Sequence, residues 1–424
     1  MRKILLIFFV LSICNFANAQ FSASAPNVQI NDLPNIDAVF LFNGITTLTE
    51  ISYTGFGSVE WRKYDNTFYS NQNYISPDDA TGYILLIDNV PTYWIWVIDY
   101  SLYPSIINLQ VAPIEQNFCE NLTLVANITP DLVYYDKNNQ RRTLLRSFTL
   151  DYVDYAFVSE VWQDSPVSRV VNPPYTITVP APKQDVTFIL SGDNFAQEMG
   201  IELSKFHLDY QAVAVESHLK GTVEKRSVPP TDKPNEDKRD NSQGGIVSGS
   251  APLVVEFKSR ANTPVAVYFE WRVETPSRTY NYAEENIRYT FIDTYNNYKV
   301  KLKVTSASGC TCLDSVTVKT EDSYLAAPNF FTPNGDGHND EFRVAYRSIK
   351  SYKCVVFNRW GNVVFTSTDP NKGWDGNVRG KPAAEGTYYY VITATGTDID
   401  NDPNSKNRGK PVKRDTKGAV NLFR

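Results

Sequence analysis

The chain has 424 residues and a net charge of −6, from 41 Lys and Arg against 47 Asp and Glu. That length allows about three or four domains of ordinary size, and 26 Tyr, 23 Phe, 24 Pro and 21 Gly beside only 2 Met favour strands and turns. The 3 His are scattered at His207, His218 and His338, which excludes a recognisable zinc set, and the basic residues form no stripe of the kind nucleic-acid binding uses.

The amino terminus reads as a secretory signal over residues 1–19. Arg2 and Lys3 are its basic start, Ile4 to Leu11 its apolar stretch and Ala17-Asn18-Ala19 its cleavage site, leaving Gln20 as the first mature residue. Acylation at Cys14 is set aside because Ile13 before it is too bulky. No later segment has the apolar run of a membrane-spanning helix. The reading therefore places the mature chain in an oxidising, extracytoplasmic compartment. Four cysteines remain there, Cys119, Cys310, Cys312 and Cys354, too few for a disulfide scaffold.

Residues 20–115 predict an immunoglobulin-like domain. Ser58 to Asp65, Tyr93 to Tyr100 and Ser105 to Ala112 are its strands, with Trp61 on a central strand facing a late aromatic one. Tyr64, Tyr69, Tyr74, Tyr93, Trp94, Trp96, Tyr100 and Tyr103 crowd this segment. Strand alternation sends half of them to the core, and the rest could form a face for a glycan or protein.

Residues 116–221 predict a second β-rich domain, with strands at Leu122 to Ile128, Arg146 to Val158, Tyr175 to Val179 and Asp185 to Leu190. Ile201 to Glu216 is one strand or a pair, the β-rich context disfavouring a helix. Asp151, Asp154, Asp193 and Glu198 are abundant acids without a pattern that marks a glycosidase. Neither His207 nor His218 lies near a nucleophile elbow or a zinc-protease run. The reading is therefore not an enzyme. A hydrolase or carbohydrate-binding accessory with its site in the amino-terminal half is the alternative.

Residues 222–245 read as a disordered charged linker, with three Pro and Lys-Arg pairs open to nicking. Residues 246–322 return to strands: Ala251 to Phe257, Tyr268 to Val273 with its Trp271, Tyr298 to Val304 with apolar residues alternating with Lys, and Ser315 to Lys319. The Ser-Ala-Pro-Leu start, the Tyr-Phe-Glu-Trp strand and the Tyr-Lys-Val-Lys-Leu-Lys-Val-Thr strand followed by Gly309-Cys310 resemble the PKD-like family of small immunoglobulin-like domains. The whole chain is thus read as all-β, a tandem of immunoglobulin-like β-sandwich domains.

Residues 325–424 differ in charge, with 15 Lys and Arg against 10 Asp and Glu, while the mature remainder has 24 against 37. Such a basic module on an acidic body suits recognition by a separate partner. Phe330 opens a dense turn cluster, Thr332-Pro333-Asn334-Gly335-Asp336-Gly337-His338-Asn339-Asp340. A hairpin follows: Tyr352 to Phe357, the turn Asn358-Arg359-Trp360-Gly361-Asn362, then Val363 to Phe365. Gly373-Trp374-Asp375-Gly376 is a second turn, with its Trp as a lid. Gly386 to Ile392 is a strand, and Lys417-Gly418-Ala419-Val420-Asn421-Leu422-Phe423-Arg424 is a last one. That strand is expected at a sheet edge, where unpaired backbone groups could meet a partner. The turn cluster reads as a hydrogen-bonded network, with Ca²⁺ on Asp336, Asn339 and Asp340 as the alternative.

Five motifs in order, from Phe-Thr-Pro-Asn-Gly-Asp-Gly-His-Asn-Asp through Asn-Arg-Trp-Gly, Trp-Asp-Gly and Gly-Thr-Tyr-Tyr-Tyr to Lys-Gly-Ala-Val-Asn-Leu-Phe-Arg, resemble the type B sorting domain of the type IX secretion system. This domain is also called the gliding-motility-associated C-terminal domain. The resemblance implies a Bacteroidota-type cell, Sec export to the periplasm, passage to the outer-membrane surface or medium, and a PorP/SprF-type outer-membrane protein as partner. It implies that the sorting motif is carried by Pro333, Asn334, Gly335, Asp336, Gly337, Asn339, Asp340, Asn358, Arg359, Trp360, Gly361, Trp374, Asp375, Gly376, Gly418, Leu422 and Arg424. The remaining domains then read as an adhesin-like or structural binding protein with an unknown glycan or protein ligand.

Overall fold

Short β-branched and aromatic runs separated by Gly, Asn and Pro turns fold as strands nearly throughout, and the one α-helix among the described residues is Asn194–Glu198. The computed structural model describes residues 20–24, 26–113, 118–224, 246–295, 297–400 and 404–424. The signal segment 1–19 and linker residues 225–245 lie outside the described residues. The chain divides into two units, one of residues up to 154 with 164–211, the other of 155–163 with 212–424.

In the first unit, a six-stranded sheet runs in the order Asn27–Ile30, Ala38–Phe42, Val90–Asp99, Thr81–Ile87, Val59–Lys63, Phe68–Ser70. A smaller sheet of Phe21–Ala23, Ile51–Tyr53 and Tyr74–Ile75 covers one face. Trp61, Phe40, Phe42, Tyr83 and Val97 fill the space between them. Trp61 is fully buried and its Nε1 donates to the Gln72 carbonyl at 3.1 Å. The strand of Trp61 does not face the late aromatic strand. Both lie in one sheet with Thr81–Ile87 between them.

The opposite face of that sheet is buried too. Val39, Leu41, Trp96, Ile98 and Tyr100 pack on Leu132, Tyr134, Leu144 and Phe195. All five residues of Ala38–Phe42 are therefore buried, the pattern of a strand covered on both sides. Most of the crowded aromatics serve these two cores, and of the eight only Tyr74, 43% exposed, stands out as an exposed large side chain.

A second sandwich sets Ile106–Val111, Asn121–Thr129 and Thr176–Pro180 against Val161–Val171, Phe148–Val158, Val186–Gly192 and Ser204–Tyr210. Leu124, Phe148, Leu150, Phe188 and Leu190 form its core. The predicted strand Ser105 to Ala112 belongs here rather than to the first domain, because Ile106–Val111 pairs along its length with Asn121–Thr129. Ser204–Tyr210 is a single strand, and 211–219 adds no second one.

Asp193 is not a free acid. It caps the helix through the Ala196 N–H (3.1 Å), accepts from the Tyr100 hydroxyl (3.1 Å) and pairs with Arg146 at 3.3 Å, with both charged side chains almost fully buried. Arg146 also donates to the Tyr103 carbonyl at 2.7 Å. Losing one partner of this buried pair would leave an uncompensated charge.

In the second unit, a sandwich sets Ile246–Ser250, Thr311–Glu321, Tyr298–Ser306, Ala266–Glu274 and Thr279–Tyr282 against Lys220–Val223, Leu253–Lys258 and Asn286–Phe291. Tyr298, Val300, Leu302 and Val304 are buried, as their alternation with Lys predicts. Thr222 and Val223, read as linker, instead pair with Glu256 and Val255, because a neighbouring strand offered their backbone a ladder. Cys310 is disulfide-bonded, and Cys354 is a buried thiol whose pKa burial pushes up.

The carboxy-terminal module follows. A serine seam joins it to the preceding sandwich: Ser348 N–H donates to Ser250 Oγ (2.6 Å) and Ala251 N–H to Ser348 Oγ (3.0 Å).

Candidate functional site

The module's main sheet runs Phe330–Phe331, Thr416–Leu422, Gly386–Ile399, Ile349–Phe357, Val363–Ser367. The last strand lies beside the edge strand Phe330–Phe331, which covers only its final two residues, so among the described residues Thr416–Val420 has no strand partner on that side. Gly386 to Ile392 pairs with it on one side, and Phe330 and Phe331 pair in parallel with Asn421 and Leu422 on the other. Val420 and Leu422 are fully buried and pack with Phe331, Val356, Trp374 and Ile392. Its apolar residues seat it on the core, because burying them stabilises the module.

Gly418 faces Tyr390, and a Cβ there would come within 2.6 Å of the Tyr390 hydroxyl. Arg424 closes the module from its far end, donating to the carbonyls of Ala383 (2.6 Å) and Gly376 (3.0 Å).

The turn cluster is held by its own side chains. Asp340 accepts from the N–H groups of Gly335 (2.7 Å) and Gly337 (2.8 Å). Asp336 accepts from His338 N–H (2.7 Å) and the Asn334 amide (2.9 Å), while Asn334 accepts from Asp336 N–H (3.1 Å). The Asn334 amide, then the His338 N–H, hold the Asp336 carboxyl below the usual aspartate range. Gly335, Gly337 and Asn339 have φ of +78°, +84° and +51°. The Asn339 carbonyl accepts from Thr332 N–H (2.7 Å), which closes the loop. Among the described residues no three His, Cys, Asp or Glu side chains gather as metal ligands.

The two tryptophan turns diverge. Trp374 is buried, packs on Phe331 and Tyr388 at ring distances of 5.4 and 4.8 Å, and donates to the Asn377 carbonyl at 2.8 Å. Asp375 accepts from the Asn377 N–H and side-chain amide. Instead of a lid, Trp374 is core. Gly376, at φ +72°, has Pro333 and Leu422 so close that a Cβ would sit 3.0 and 3.1 Å from them. Pro333, Trp374, Gly376, Leu422 and Arg424 thus meet at one point in space.

Asn358, Arg359, Trp360 and Gly361 form a separate place. Asn358 Oδ1 accepts from Trp360 N–H (3.1 Å) and Asn362 N–H (2.9 Å). Gly361 takes φ +81° and donates to the Asn358 carbonyl at 3.0 Å. Trp360 is 71% exposed, with the Arg359 guanidinium 4.3 Å over its ring.

His218 pairs with Glu216 at 2.8 Å and stacks on Phe157 at 3.9 Å, and His207 sits opposite Ile189 on a strand. One feature escaped sequence reasoning, a cleft of about 630 Å³ lined by Asp151, Asp164, Asp185 and Gln184 in the second sandwich. Its acids come from three strands or strand ends, so no local motif announces it. No helix among the described residues is long and apolar enough to cross a membrane.

Residues 325–409 match the CHU_C type IX secretion signal domain, and residues 111–207 match a fibronectin type III domain. No curated protein matches the chain. Among solved structures, the four amino-terminal Ig domains of Dscam1 isoform 4.44 are 13% identical, cover 95% of this chain and 99% of theirs, and give a TM-score of 0.22. A structure of Dscam isoform specificity is 11% identical, covers 94% and 99%, and gives 0.20. Latent PorU from Porphyromonas gingivalis is 9% identical, covers 90% of this chain and 43% of its own, and gives 0.14. The chain is an all-β, tandem immunoglobulin-like protein that carries a CHU_C type IX secretion signal domain behind a fibronectin type III domain.

Proposed function

We propose that this chain is a non-catalytic binding or structural protein of the bacterial exterior, adhesin-like in build, and that its carboxy-terminal module is an address. The single observation behind this reading is the module at 325–424, whose first 85 residues match a secretion signal. Its turns are tied by their own side chains and its core is closed by its own last strand, so a partner can read it as a finished shape. Export by Sec to the periplasm precedes the type IX step, and a PorP/SprF-type outer-membrane protein is the receiver.

The test is fractionation and protease shaving of a type IX-secreting bacterium expressing the full chain or a chain lacking 325–424. Loss of the surface or secreted fraction, with the shortened chain intact in the periplasm, supports the reading. Undiminished delivery of the shortened chain would defeat it.

The cleft of Asp151, Asp164 and Asp185 favours one second reading, a hydrolase or carbohydrate-binding accessory whose site lies in the amino-terminal half. Carboxylates on a strand face can accept sugar hydroxyls or work in pairs as acid and base. A glycan array and a polysaccharide and peptide turnover panel on the mature chain separate the two. Turnover lost on Asp151→Asn would replace the adhesin-like reading.

A further inference from the structure

The tip that carries Arg359 and Trp360 closes a hairpin and presents both side chains away from the module's core. Trp360 is 71% exposed and is not part of the module's core cluster. Among the described residues the Arg359 guanidinium makes no ion pair or hydrogen bond, its contact being the Trp360 ring at 4.3 Å. An indole in water forfeits a few kcal/mol relative to burial. A guanidinium with its donors unclaimed is a ready partner for a carboxylate.

The tip is also rigid. Two N–H groups on Asn358 Oδ1 and the left-handed Gly361 fix its backbone, so little ordering remains to be done on contact. Val363 beside the turn is 56% exposed, and Tyr389, in register with Phe357, is 51% exposed. These extend an apolar footing behind the tip. Trp and Arg are the residue types that most often dominate protein interfaces.

We propose that this tip is the anchor by which the export machinery grips the module. The Trp360 indole enters an apolar pocket of a machinery protein, and Arg359 pairs with a carboxylate at the pocket mouth. The proposal rests on the delivery reading above. It goes further by separating the residues that are read, Arg359 and Trp360, from those that only hold the shape, such as Trp374 and Gly376.

The experiment uses the full chain in a type IX-secreting bacterium with three changes: Trp360→Ala, Arg359→Glu and deletion of 325–424. The delivered fraction is measured by surface shaving, and thermal melting of the purified proteins reports the fold. The expected result is a fall in delivery of roughly tenfold or more for both point variants, with melting unchanged, as for a truncated interface anchor. Trp360→Phe, which keeps an aromatic ring, recovers part of the delivery. Arg278→Ala, which removes another stacked guanidinium, over Tyr280, leaves it unchanged.

If deletion blocks delivery while both point variants pass at full yield, the anchor is wrong and the delivery reading stands. If the deleted chain is delivered, the delivery reading itself falls. Should Trp360→Ala lower the melting temperature, Arg359→Glu, whose guanidinium stacks on that ring, decides alone. Flotation of the full chain with anionic vesicles, abolished by Trp360→Ala, would assign the tip to a membrane surface and overturn the protein-pocket proposal.

Discussion

In the turn 358–362, Trp360 stands in solvent under Arg359, while in the turn 373–376, Trp374 lies at 1% exposure against Phe331 and Tyr388. Each turn has a Trp within two residues of a Gly with positive φ, and in each an Asn or Asp side chain caps nearby N–H groups. What differs is the surroundings. Gly376 is pressed by Pro333 and Leu422, whereas Gly361 has nothing within 4 Å of where a Cβ would be. The same local chemistry therefore builds a core plug where other chain segments converge and a presented group where none do.

The contrast can be broken in order of effect. Deleting Gly418 to Arg424 removes Val420 and Leu422 from the core and one of two ladders from Gly386 to Ile392. The module should not fold at all, seen as loss of its melting transition in the full chain. Retention of that transition would deny the strand its interior role. Trp374→Ala should cost about 3–5 kcal/mol, as for other large buried aromatics, read by denaturant titration. Trp360→Ala should stay within about 0.5 kcal/mol in the same titration, so similar values for the two would erase the distinction.

Gly376→Ala should cost about 1–2 kcal/mol from left-handed strain, with more from the contact 3.0 Å from Pro333. Gly361→Ala should cost only the strain. The smallest effect is acidic. Because Asn334 and the His338 N–H lower the Asp336 pKa, its contribution is present above the usual aspartate value of 3.8 and fades as pH falls below it. Asp336→Asn should remove that part of the pH dependence of melting. The loop is expected to hold itself without a cation, so calcium and a chelator should leave its melting unchanged.

How far the sequence discloses this molecule depends on whether one face or two are buried. Tyr298 to Val304 alternates because one face meets the core and the other meets water, and its Lys residues fall outside as read. Ala38–Phe42 shows no period because the six-stranded sheet is covered on both faces. Its unbroken apolar run was the available signal. Thr222 and Val223 hide in a charged stretch because a ladder needs backbone, not composition. In the carboxy-terminal module the motifs mark the turns and strands, yet Trp360 and Trp374 carry the same flags. Only long-range packing of Phe331, Tyr388 and Leu422 decides which is inside, and a local reading of turns does not contain it.

The place of Thr416–Leu422 between Phe330–Phe331 and Gly386–Ile399 has a temporal consequence. A ribosome delivers that strand after every other element of the module, so the slot stays vacant until then and the apolar groups lining it stay wet. A nascent chain interrupted upstream of Thr416 would lack Val420 and Leu422 and leave Phe331, Trp374 and Ile392 without that cover. The folding of the module therefore waits on the element made last within it.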